Sequence, residues 1–387
     1  MIGLFSDVFP PIMDGVSLTV KNYADNIYAK GKEVTVVTPY ASGEHVCVPY
    51  PVYYYASIPV PMRKPYRFGM PGFDPKIMSQ LKHIPFEIVH AHSPFSAGIL
   101  ALQVAHKRHV PLVATFHSKF KQDFQQSLHL TPLVNVGVWC VTQFFNRADA
   151  VWVPQASVAP VLREYGYKGE VTVVENGNDF VSPKEEVEHL REKTREALGL
   201  KEGEMMFLFV GQHIWEKNIG FVLEALAKIK DLPFKFFTIG KGYAEAQIRQ
   251  KIVEYGLEDK ATLLGSVYDR NILKGYYAAA DLFLFPSLYD NAPLVVREAA
   301  AMHTPAVMLS GSTAAEVIQD QYNGFLCAND NDTFAQLLTY LVNHPQEVKR
   351  VGERASVTLT RSWDDIVIEV LERYKEIEIK YKKEKGL

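Results

Sequence analysis

The sequence of 387 residues has few cysteines, no long uninterrupted apolar run and no internal repeat. Its three cysteines lie far apart without a C-x-x-C pair, which argues against a disulfide framework or a zinc knuckle and fits a reducing cytoplasm. The longest apolar stretch, residues 133–145, is too short to cross a bilayer and contains polar side chains. No basic segment precedes the apolar start of the chain, so we do not expect a secretory signal peptide.

Composition and charge are those of an ordinary globular chain with one unusual segment. Hydrophobic residues make up 48% and charged residues 22%, as in ordinary globular proteins, and the length of 387 residues fits two or three domains. The net charge of -3 argues against bulk nucleic-acid binding. Residues 51–121, however, contain nine basic and two acidic side chains. This basic segment is either a solvated face or a surface for an anionic partner such as phospholipid headgroups. Its basic residues are Arg63, Lys64, Arg67, Lys76, Lys82, Lys107, Arg108, Lys119 and Lys121.

Short β-rich runs alternate with helical stretches along most of the chain, which predicts an α/β fold with doubly wound parallel sheets. The alternation restarts after a Glu-rich helical connection at 183–204. We therefore predict an N-terminal Rossmann-like domain at 1–180, a second one at 181–362 and a long amphipathic helix at 363–387. Residues 48–75 contain seven prolines, which predicts an irregular loop, either a binding lip or a passive surface loop.

In such sheets the ligand crevice lies beyond the carboxyl ends of the strands. Gly15 opens a helix after the first strand, where backbone N–H groups and the helix dipole suit a phosphate, although a glycine there is also compatible with a plain turn. His117 ends a later strand and can donate to a sugar hydroxyl. His90 and His92 lie similarly, but no carboxylate at a matching spacing supports a zinc site.

Two further motifs have a functional and a structural interpretation. Lys217, after Gly211 and Gln212, can neutralise a pyrophosphate or can simply pair on the surface with a neighbouring glutamate. Residues 330–332 spell D-x-D, a pattern associated with metal-bound sugar nucleotides, yet they precede a helical stretch. The local sequence of Asp330, Asn331 and Asp332 therefore favours a helix N-cap, for which Asp and Asn are common.

The most informative segment is 285–299, where a strand ends, a turn of small residues follows and a helix begins. Asp290 and Glu298 lie at its two ends, at most about 12 Å apart along a helix, farther than the about 5 Å pair of a retaining glycosidase. The layout suits a long ligand with hydroxyl groups at both ends and phosphates between them. A nucleotide sugar has this layout.

The order of motifs resembles the retaining GT-B glycosyltransferases of family 4, a group that includes phosphatidylinositol mannosyltransferases, diacylglycerol glucosyltransferases and sucrose synthases. The resemblance covers nearly the whole chain. It implies a GT-B architecture in which two Rossmann-like domains face each other across a cleft and the C-terminal helix crosses back to the first domain. The motifs are FSDVFPPIMDGVS, VHAHSP, ATFHS, VVENGND, VGQHIWEKN, IGKG, LLGSV, YYAAADLFLFPSLYDNAPLVVREA, GSTAAEVI and NGFL.

The resemblance also implies roles for individual residues. His117 would contact the transferred sugar and help to stabilise the reacting centre, Lys217 would clamp the pyrophosphate, and Asp290 would bind sugar hydroxyls. Glu298 would hold the ribose, and the loop of Gly15 would lie against the phosphates. Because lysine and helix dipoles neutralise the phosphates, no metal and no cofactor is expected. The remaining donor-binding residues would be Gly211 and Gln212, together with Asn291, Ala292, Pro293 and Leu294, whose backbone amides would hold sugar and phosphate.

The chain departs from the family pattern at two positions. Gln212 stands where the family usually has an arginine, and Asp290 stands where it usually has a glutamate. The loss of the arginine removes a cation at the leaving pyrophosphate, unless Arg297 or Lys241 replaces it. We therefore expect Gln212→Arg to raise turnover, and a non-catalytic sugar-nucleotide-binding relative stays an alternative.

The resulting expectation is a retaining hexosyltransferase that uses a nucleotide diphosphate sugar, UDP-glucose or UDP-galactose. Because the basic segment, the Pro/Tyr-rich loop and the apolar stretch 132–145 all lie in the first domain, we expect a membrane lipid such as diacylglycerol as acceptor. Such an enzyme would be cytoplasmic and peripheral on the inner face of the cell membrane. The alternatives are a soluble or polysaccharide acceptor and a sugar-nucleotide epimerase.

Overall fold

The computed structural model describes residues 1–43, 46–60, 65–128, 130–288 and 290–386. The chain divides into two compact units: unit 1 comprises Met1–Gly177 with Trp363–Leu387, and unit 2 comprises Asn178–Ser362. The division lies just before the predicted boundary at 180/181. Asn178 marks it, because this residue pairs with Ser362 and its amide donates to the carbonyl of Arg297, both in unit 2.

Unit 1 is built on a seven-stranded parallel sheet in the order β3-β2-β1-β6-β7-β8-β9. A separate antiparallel hairpin is formed by β4 and β5. The strands are β1 (Ile2–Phe5), β2 (Val34–Pro39), β3 (Val52–Tyr55), β4 (Ser57–Pro59), β5 (Arg67–Gly69), β6 (Ile88–Ala91), β7 (Leu112–Thr115), β8 (Ala150–Val153) and β9 (Thr172–Val173). The helices are α1 (Gly15–Ala29), α2 (Pro75–Leu81), α3 (Ser96–Arg108), α4 (Phe120–Leu128), α5 (Thr131–Phe145), α6 (Val158–Glu164) and, from the C-terminus, α14 (Trp363–Lys385).

The described part of segment 48–75 is more regular than its prolines predict. Its tyrosine-rich run forms β3, which joins the edge of the parallel sheet beside β2, and the hairpin of β4 and β5 follows. The prediction of an irregular loop is therefore wrong for these residues. Tyrosine and valine favour strands, and the prolines at positions 51 and 59 lie at strand ends, where a missing N–H is tolerated. Pro61, Arg63 and Lys64 lie outside the described residues.

Unit 2 is built on a six-stranded parallel sheet in the order β12-β11-β10-β13-β14-β15. Its inner strands at 205–210 and 234–239 are almost continuously apolar and buried, as expected for a sheet covered by helices on both faces, whereas the edge strand at 261–265 is mostly half-buried. The strands are β10 (Met205–Val210), β11 (Phe234–Ile239), β12 (Ala261–Gly265), β13 (Leu282–Leu284), β14 (Ala306–Leu309) and β15 (Phe325–Cys327). The helices are α7 (Lys184–Ala197), α8 (Ile219–Lys228), α9 (Glu245–Glu254), α10 (Arg270–Ala279), α11 (Leu294–Ala301), α12 (Asn331–Asn343) and α13 (Pro345–Thr358).

Each sheet has a point at which the strand order reverses along the chain. In unit 1 this point lies between β1 and β6, and in unit 2 it lies between β10 and β13. Ligands of doubly wound sheets bind beyond the carboxyl ends of the strands at this reversal. We therefore expect a ligand-binding site in the loops after β1, β6, β10 and β13.

The long amphipathic helix α14 packs on unit 1 with its apolar face. Tyr374 lies buried against Trp152 of β8, with stacked rings 5.5 Å apart, and Asp364 forms an ion pair with Lys30 at 2.5 Å. Within the described ranges, neither this helix nor any other combines the length and apolarity that crossing a bilayer requires.

Candidate active site

Lys217 and Asp290 meet at the carboxyl edge of the sheet in unit 2. Lys217 ends a short 3-10 turn after β10, and Asp290 lies in the loop after β13. The Nζ of Lys217 donates to Asp290 Oδ1, and the hydroxyl of Ser287 donates to Asp290 Oδ2 at 2.5 Å. Both members of the ion pair are only 13% and 16% exposed. The residues predicted to bind the phosphates and the sugar are thus direct neighbours.

The turn at 291–294 leads from this pair into α11. Asn291 is buried, whereas Ala292, Pro293 and Leu294 are half-buried. The expectation that every amide of this turn binds the donor is wrong for Pro293, because proline has no N–H to donate. Pro293 is also the N-cap of α11 and provides no side-chain acceptor for the first turn. The N-terminal end of α11 therefore keeps a positive dipole end at this edge of the sheet.

Glu298 lies one turn further along α11 and is 4% exposed. Two side chains of the adjacent helix α10 donate hydrogen bonds to it, one to each carboxylate oxygen. Arg270 Nη2 donates to Oε1 at 2.7 Å, and the hydroxyl of Tyr277 donates to Oε2 at 2.9 Å. Asp290 and Glu298 therefore belong to separate polar clusters, as two ends of an extended ligand site would.

The loop with Gly211 and Gln212 runs beside the IGKG run at 239–242, which begins at the last residue of β11. The N–H of Gly211 donates to the carbonyl of Ile239 at 2.9 Å, and the N–H of His213 donates to the carbonyl of Lys241 at 3.1 Å. Gly240 is required here, since a Cβ at this position would approach the Gly211 oxygen to 1.9 Å.

Gln212 is exposed, and exposed Lys241 lies opposite it in this backbone pairing. Arg297, in contrast, is buried and donates to the carbonyl of Leu359 at 3.1 Å. The hypothesis that Arg297 replaces the missing arginine therefore gains no support, because this side chain joins α11 to the end of α13. Lys241 stays the candidate for that role.

The D-x-D sequence is a helix cap. Asp330 accepts hydrogen bonds from the N–H of Thr333 at 2.8 Å and from its hydroxyl at 2.7 Å, which confirms the N-cap prediction for α12. Asp332 forms an ion pair with Lys228 on the surface. In the part of the chain that the structure describes, no three His, Cys, Asp or Glu side chains are arranged to hold a metal ion.

Three histidines form a ladder at the carboxyl edge of the sheet in unit 1, in which His90 and His92 are buried and His117 is half-buried. His92 Nδ1 lies 3.1 Å from His117 Nε2, and the His90 and His92 rings lie 4.0 Å apart. His90 also contacts the hydroxyls of Tyr374 and Thr115, at 2.6 and 2.7 Å. Burial lowers the pKa of His117 to about 4 and the pKa values of His90 and His92 well below 6.5. At neutral pH His117 is therefore an uncharged hydrogen-bonding group.

Gly15 is the first residue of α1, next to the N-cap Asp14, which accepts from the N–H of Ser17 at 2.8 Å. Gly15 is exposed and has no positive φ. A Cβ added to it would meet no described heavy atom within 4 Å. Since neither packing nor backbone conformation requires glycine here, the position leaves room for another molecule to approach the helix end.

The sequence analysis missed two groups of polar residues. Asp7, after β1, accepts from the Ser96 hydroxyl and from the N–H of Ala97 at 3.1 Å, and burial raises its pKa to about 6. Arg270 and Tyr277 enclose Glu298, although neither belongs to a strand-end motif. The available signals were the acidic residue in FSDVF and the seven-residue spacing of Arg270 and Tyr277, which puts both on one face of a helix.

Each of the two units matches a known protein family. Residues 13–180 match the family described as Glycosyltransferase Family 4, and residues 190–357 match the family described as Glycosyl transferases group 1. The chain belongs to the GT-B glycosyltransferases of family 4. This confirms the predicted family, and it confirms a glycosyltransferase as the class of enzyme.

Two relatives of this glycosyltransferase carry the name alpha-monoglucosyldiacylglycerol synthase. The protein from Streptococcus pneumoniae is 25% identical over 351 residues, which cover 89% of this chain and 79% of that protein. The protein from Acholeplasma laidlawii is 25% identical over 375 residues, which cover 92% of each chain.

Among solved structures, HepE from Anabaena in complex with UDP and glucose superposes with a TM-score of 0.77 at 18% identity. The match covers 97% of this chain and 99% of HepE. Together with the two parallel sheets, this likeness confirms the predicted α/β fold of the GT-B class. The roles assigned to single residues of the glycosyltransferase stay predictions.

Proposed function

We propose that this glycosyltransferase transfers glucose from UDP-glucose to a diacylglycerol-type membrane lipid with retention of the anomeric configuration. The two relatives named as monoglucosyldiacylglycerol synthases support this choice of sugar and acceptor. The observation that carries the lipid acceptor is an apolar helix face that unit 1 exposes to solvent.

That exposed face belongs to α5. Leu133, Val136 and Trp139 are 48%, 57% and 61% exposed, whereas Val134, Val141 and Phe145 of the same helix are buried. The two sets lie on different sides of the helix, since each residue advances the helix by about 100°. A soluble domain rarely leaves so many large apolar side chains of one helix in water unless they contact a partner or a membrane.

The charge of unit 1 fits an anionic membrane as the partner. Lys76, Lys82, Lys107 and Lys121 of the basic segment are exposed. Lysines near a surface of anionic lipids contribute about 1 kcal/mol each to binding. Ile58 and Phe68 of the hairpin and the neighbouring Phe73 add exposed apolar area, at 48%, 56% and 84%. We propose that these features hold the enzyme on the inner face of the cell membrane.

In this proposal, residues of unit 2 bind the nucleotide sugar that donates the glucose. Lys217 and the N-terminus of α11 neutralise the pyrophosphate, Asp290 accepts hydrogen bonds from sugar hydroxyls, and Glu298 accepts them from the ribose. Such cations and dipoles act by electrostatic stabilisation and make a metal unnecessary. Gly15 and His117 of unit 1 would contribute to phosphate binding and to the transferred sugar.

The proposed reaction follows a front-face course. The bond between the anomeric carbon and the phosphate oxygen breaks, and the acceptor oxygen forms its bond to the same face of that carbon. The acceptor proton passes to the departing phosphate oxygen, so no protein base is needed. Neutral His117 suits this scheme as a hydrogen-bonding partner of the sugar, since it removes no proton.

The test is incubation with radiolabelled UDP-glucose, UDP-galactose and GDP-mannose in parallel, with diacylglycerol in phosphatidylglycerol vesicles, followed by organic extraction. We expect label in the organic phase from UDP-glucose, and we expect Lys217→Met to abolish it, whereas Lys228→Met on the surface of α8 does not. Turnover only with soluble acceptors would overturn the lipid acceptor. Nucleotide binding without turnover under any condition would favour the non-catalytic alternative.

A further inference from the structure

The carboxylate of Glu298 is fixed by donors that come from outside its own helix. Only 6% of its side chain is exposed, and each carboxylate oxygen has one donor on α10, Arg270 for Oε1 and Tyr277 for Oε2. Residues seven apart lie on the same face of a helix, so α10 presents both donors to one carboxylate. Burial raises the pKa of Tyr277 well above its ordinary value, so this phenol keeps its proton and donates.

Arg270 is itself fixed on its other side. Its Nε and Nη2 donate to the two carboxylate oxygens of Asp179, at 3.1 and 2.6 Å, and its guanidinium lies 4.2 Å from the centre of the Phe180 ring. A planar fork can bond two carboxylates and stack on a ring at the same time, which the point charge of lysine cannot do. The position of Glu298 therefore depends on a side chain with little freedom to move.

We infer that Arg270 is a positioning residue, which holds the Glu298 carboxylate in the orientation that receives the hydroxyl groups of a ribonucleotide. This inference rests on the proposed function, in which Glu298 contacts the ribose. A carboxylate has about four lone-pair sites, of which Arg270 and Tyr277 occupy two. The remaining sites can accept from two neighbouring hydroxyl groups. The ligand that fits is a nucleotide with a vicinal diol.

Without Arg270 the carboxylate would lose both its counter-charge and one of its two orienting contacts. Burial of a charge without a partner is unfavourable, so Glu298 would turn toward water or toward another donor. The cost would then appear specifically in recognition of the ribose hydroxyls, because Lys217 and the backbone N–H groups of Asn291, Ala292 and Leu294 would still bind the phosphates. Recognition of the sugar of the nucleotide therefore distinguishes positioning from a general structural role.

The experiment compares the Kd values of UDP and 2′-deoxy-UDP by titration calorimetry. We expect the wild type to prefer UDP by about tenfold, the effect of one hydrogen bond to a charged group. Arg270→Met should bind UDP and 2′-deoxy-UDP about equally, and Arg270→Lys should restore part of the preference for UDP. Arg249→Met is the matched control, since Arg249 pairs with Glu245 on the surface of α9 and should leave the preference unchanged.

Tyr277→Phe is a second variant that removes one donor and leaves the ion pair intact, and it should lower the preference by a smaller factor. It decides the question if Arg270→Met does not fold. A preference that stays near tenfold in whichever variants fold would overturn the positioning role. A wild type that binds neither nucleotide would overturn the proposed function instead, so the two failures are distinguishable.

Discussion

At the scale of single residues, Lys217 and Asp290 form an ion pair in which each side chain neutralises the charge of the other. Replacing Asp290 with Asn leaves the ammonium group of Lys217 without its counter-charge. We expect Asp290→Asn to bind UDP about fivefold more tightly, since a partly exposed ion pair is worth up to about 1 kcal/mol. Turnover should nevertheless fall by about tenfold or more, since the sugar hydroxyls lose a charged acceptor.

Calorimetry with UDP and an assay with UDP-glucose measure the two effects separately. Asp332→Asn provides the matched control, because Asp332 pairs with Lys228 on the surface and should change neither value. If Asp290→Asn weakened UDP binding, the carboxylate would have to assist phosphate binding, against the assignment made for it.

The neutral histidine ladder makes a prediction about stability and pH. The pKa of His117 falls from 6.5 in the unfolded chain to about 4 in the fold because of burial. Between these values the unfolded chain binds a proton that the folded chain does not, so stability falls as the pH decreases from 6.5 toward 4. Asp7, whose pKa rises to about 6, acts in the opposite direction over part of this range.

We therefore expect His117→Gln to reduce the loss of stability between pH 6.5 and pH 5, by up to about 1.4 kcal/mol per pH unit. Urea unfolding at the two pH values measures this change in the pH dependence of stability. His106→Gln, at an exposed position of α3, is the control. An unchanged pH dependence in His117→Gln would mean that this imidazole is solvated and charged at acidic pH.

At the scale of elements, local patterns predicted most of the fold. Helix α14 at Trp363–Lys385 begins where the sequence analysis places the terminal helix and ends two residues earlier, since apolar periodicity and length distinguish helices from buried strands. Strand β3 was missed because it is an edge strand in a proline-rich segment. Its place in the sheet depends on pairing with β2, which no local pattern reveals.

The candidate site was predictable to a similar extent. Lys217, Asp290, Glu298 and His117 follow strands, so the rule for carboxyl ends finds them. Arg270 also follows a strand, since α10 begins five residues after β12 ends, but its contact with Glu298, 28 residues along the chain, arises only through the packing of α10 on α11. Contacts between elements determine which side chains orient a carboxylate, and a single sequence carries little record of them.

The N-terminus of α1 gives a test of binding that is separate from folding. Gly15→Ala introduces a Cβ into open space, so the unfolding free energy should stay the same or rise by about 0.5 kcal/mol, as for other compatible Gly→Ala changes. The KM for UDP-glucose should increase, because the Cβ occupies the approach to the helix N–H groups. Thermal unfolding and steady-state kinetics measure the two.

Gly72→Ala is the control for this variant, since a Cβ there also meets no described heavy atom within 4 Å. Its unfolding free energy should likewise stay the same or rise by about 0.5 kcal/mol, and its KM for UDP-glucose should not change. A Gly15→Ala enzyme with an unchanged KM would remove Gly15 from the donor-binding residues.

At the scale of the whole molecule, the two units differ in the surfaces that they offer. Unit 1 contains the basic segment and the exposed apolar face of α5, whereas unit 2 contains the Lys217–Asp290 pair and the cluster around Glu298. This division supports the proposal that unit 1 binds a lipid acceptor and unit 2 binds the nucleotide sugar.

The central claim is that the acceptor lies in a membrane that α5 contacts, and co-flotation with phosphatidylglycerol vesicles tests it most directly. The account predicts that the wild type floats with the vesicles and that Trp139→Ser stays largely in the dense fraction. Val357→Ser, which removes a 79% exposed side chain of unit 2, should float like the wild type. A wild type that does not float, or a Trp139→Ser variant that floats equally well, would contradict the account.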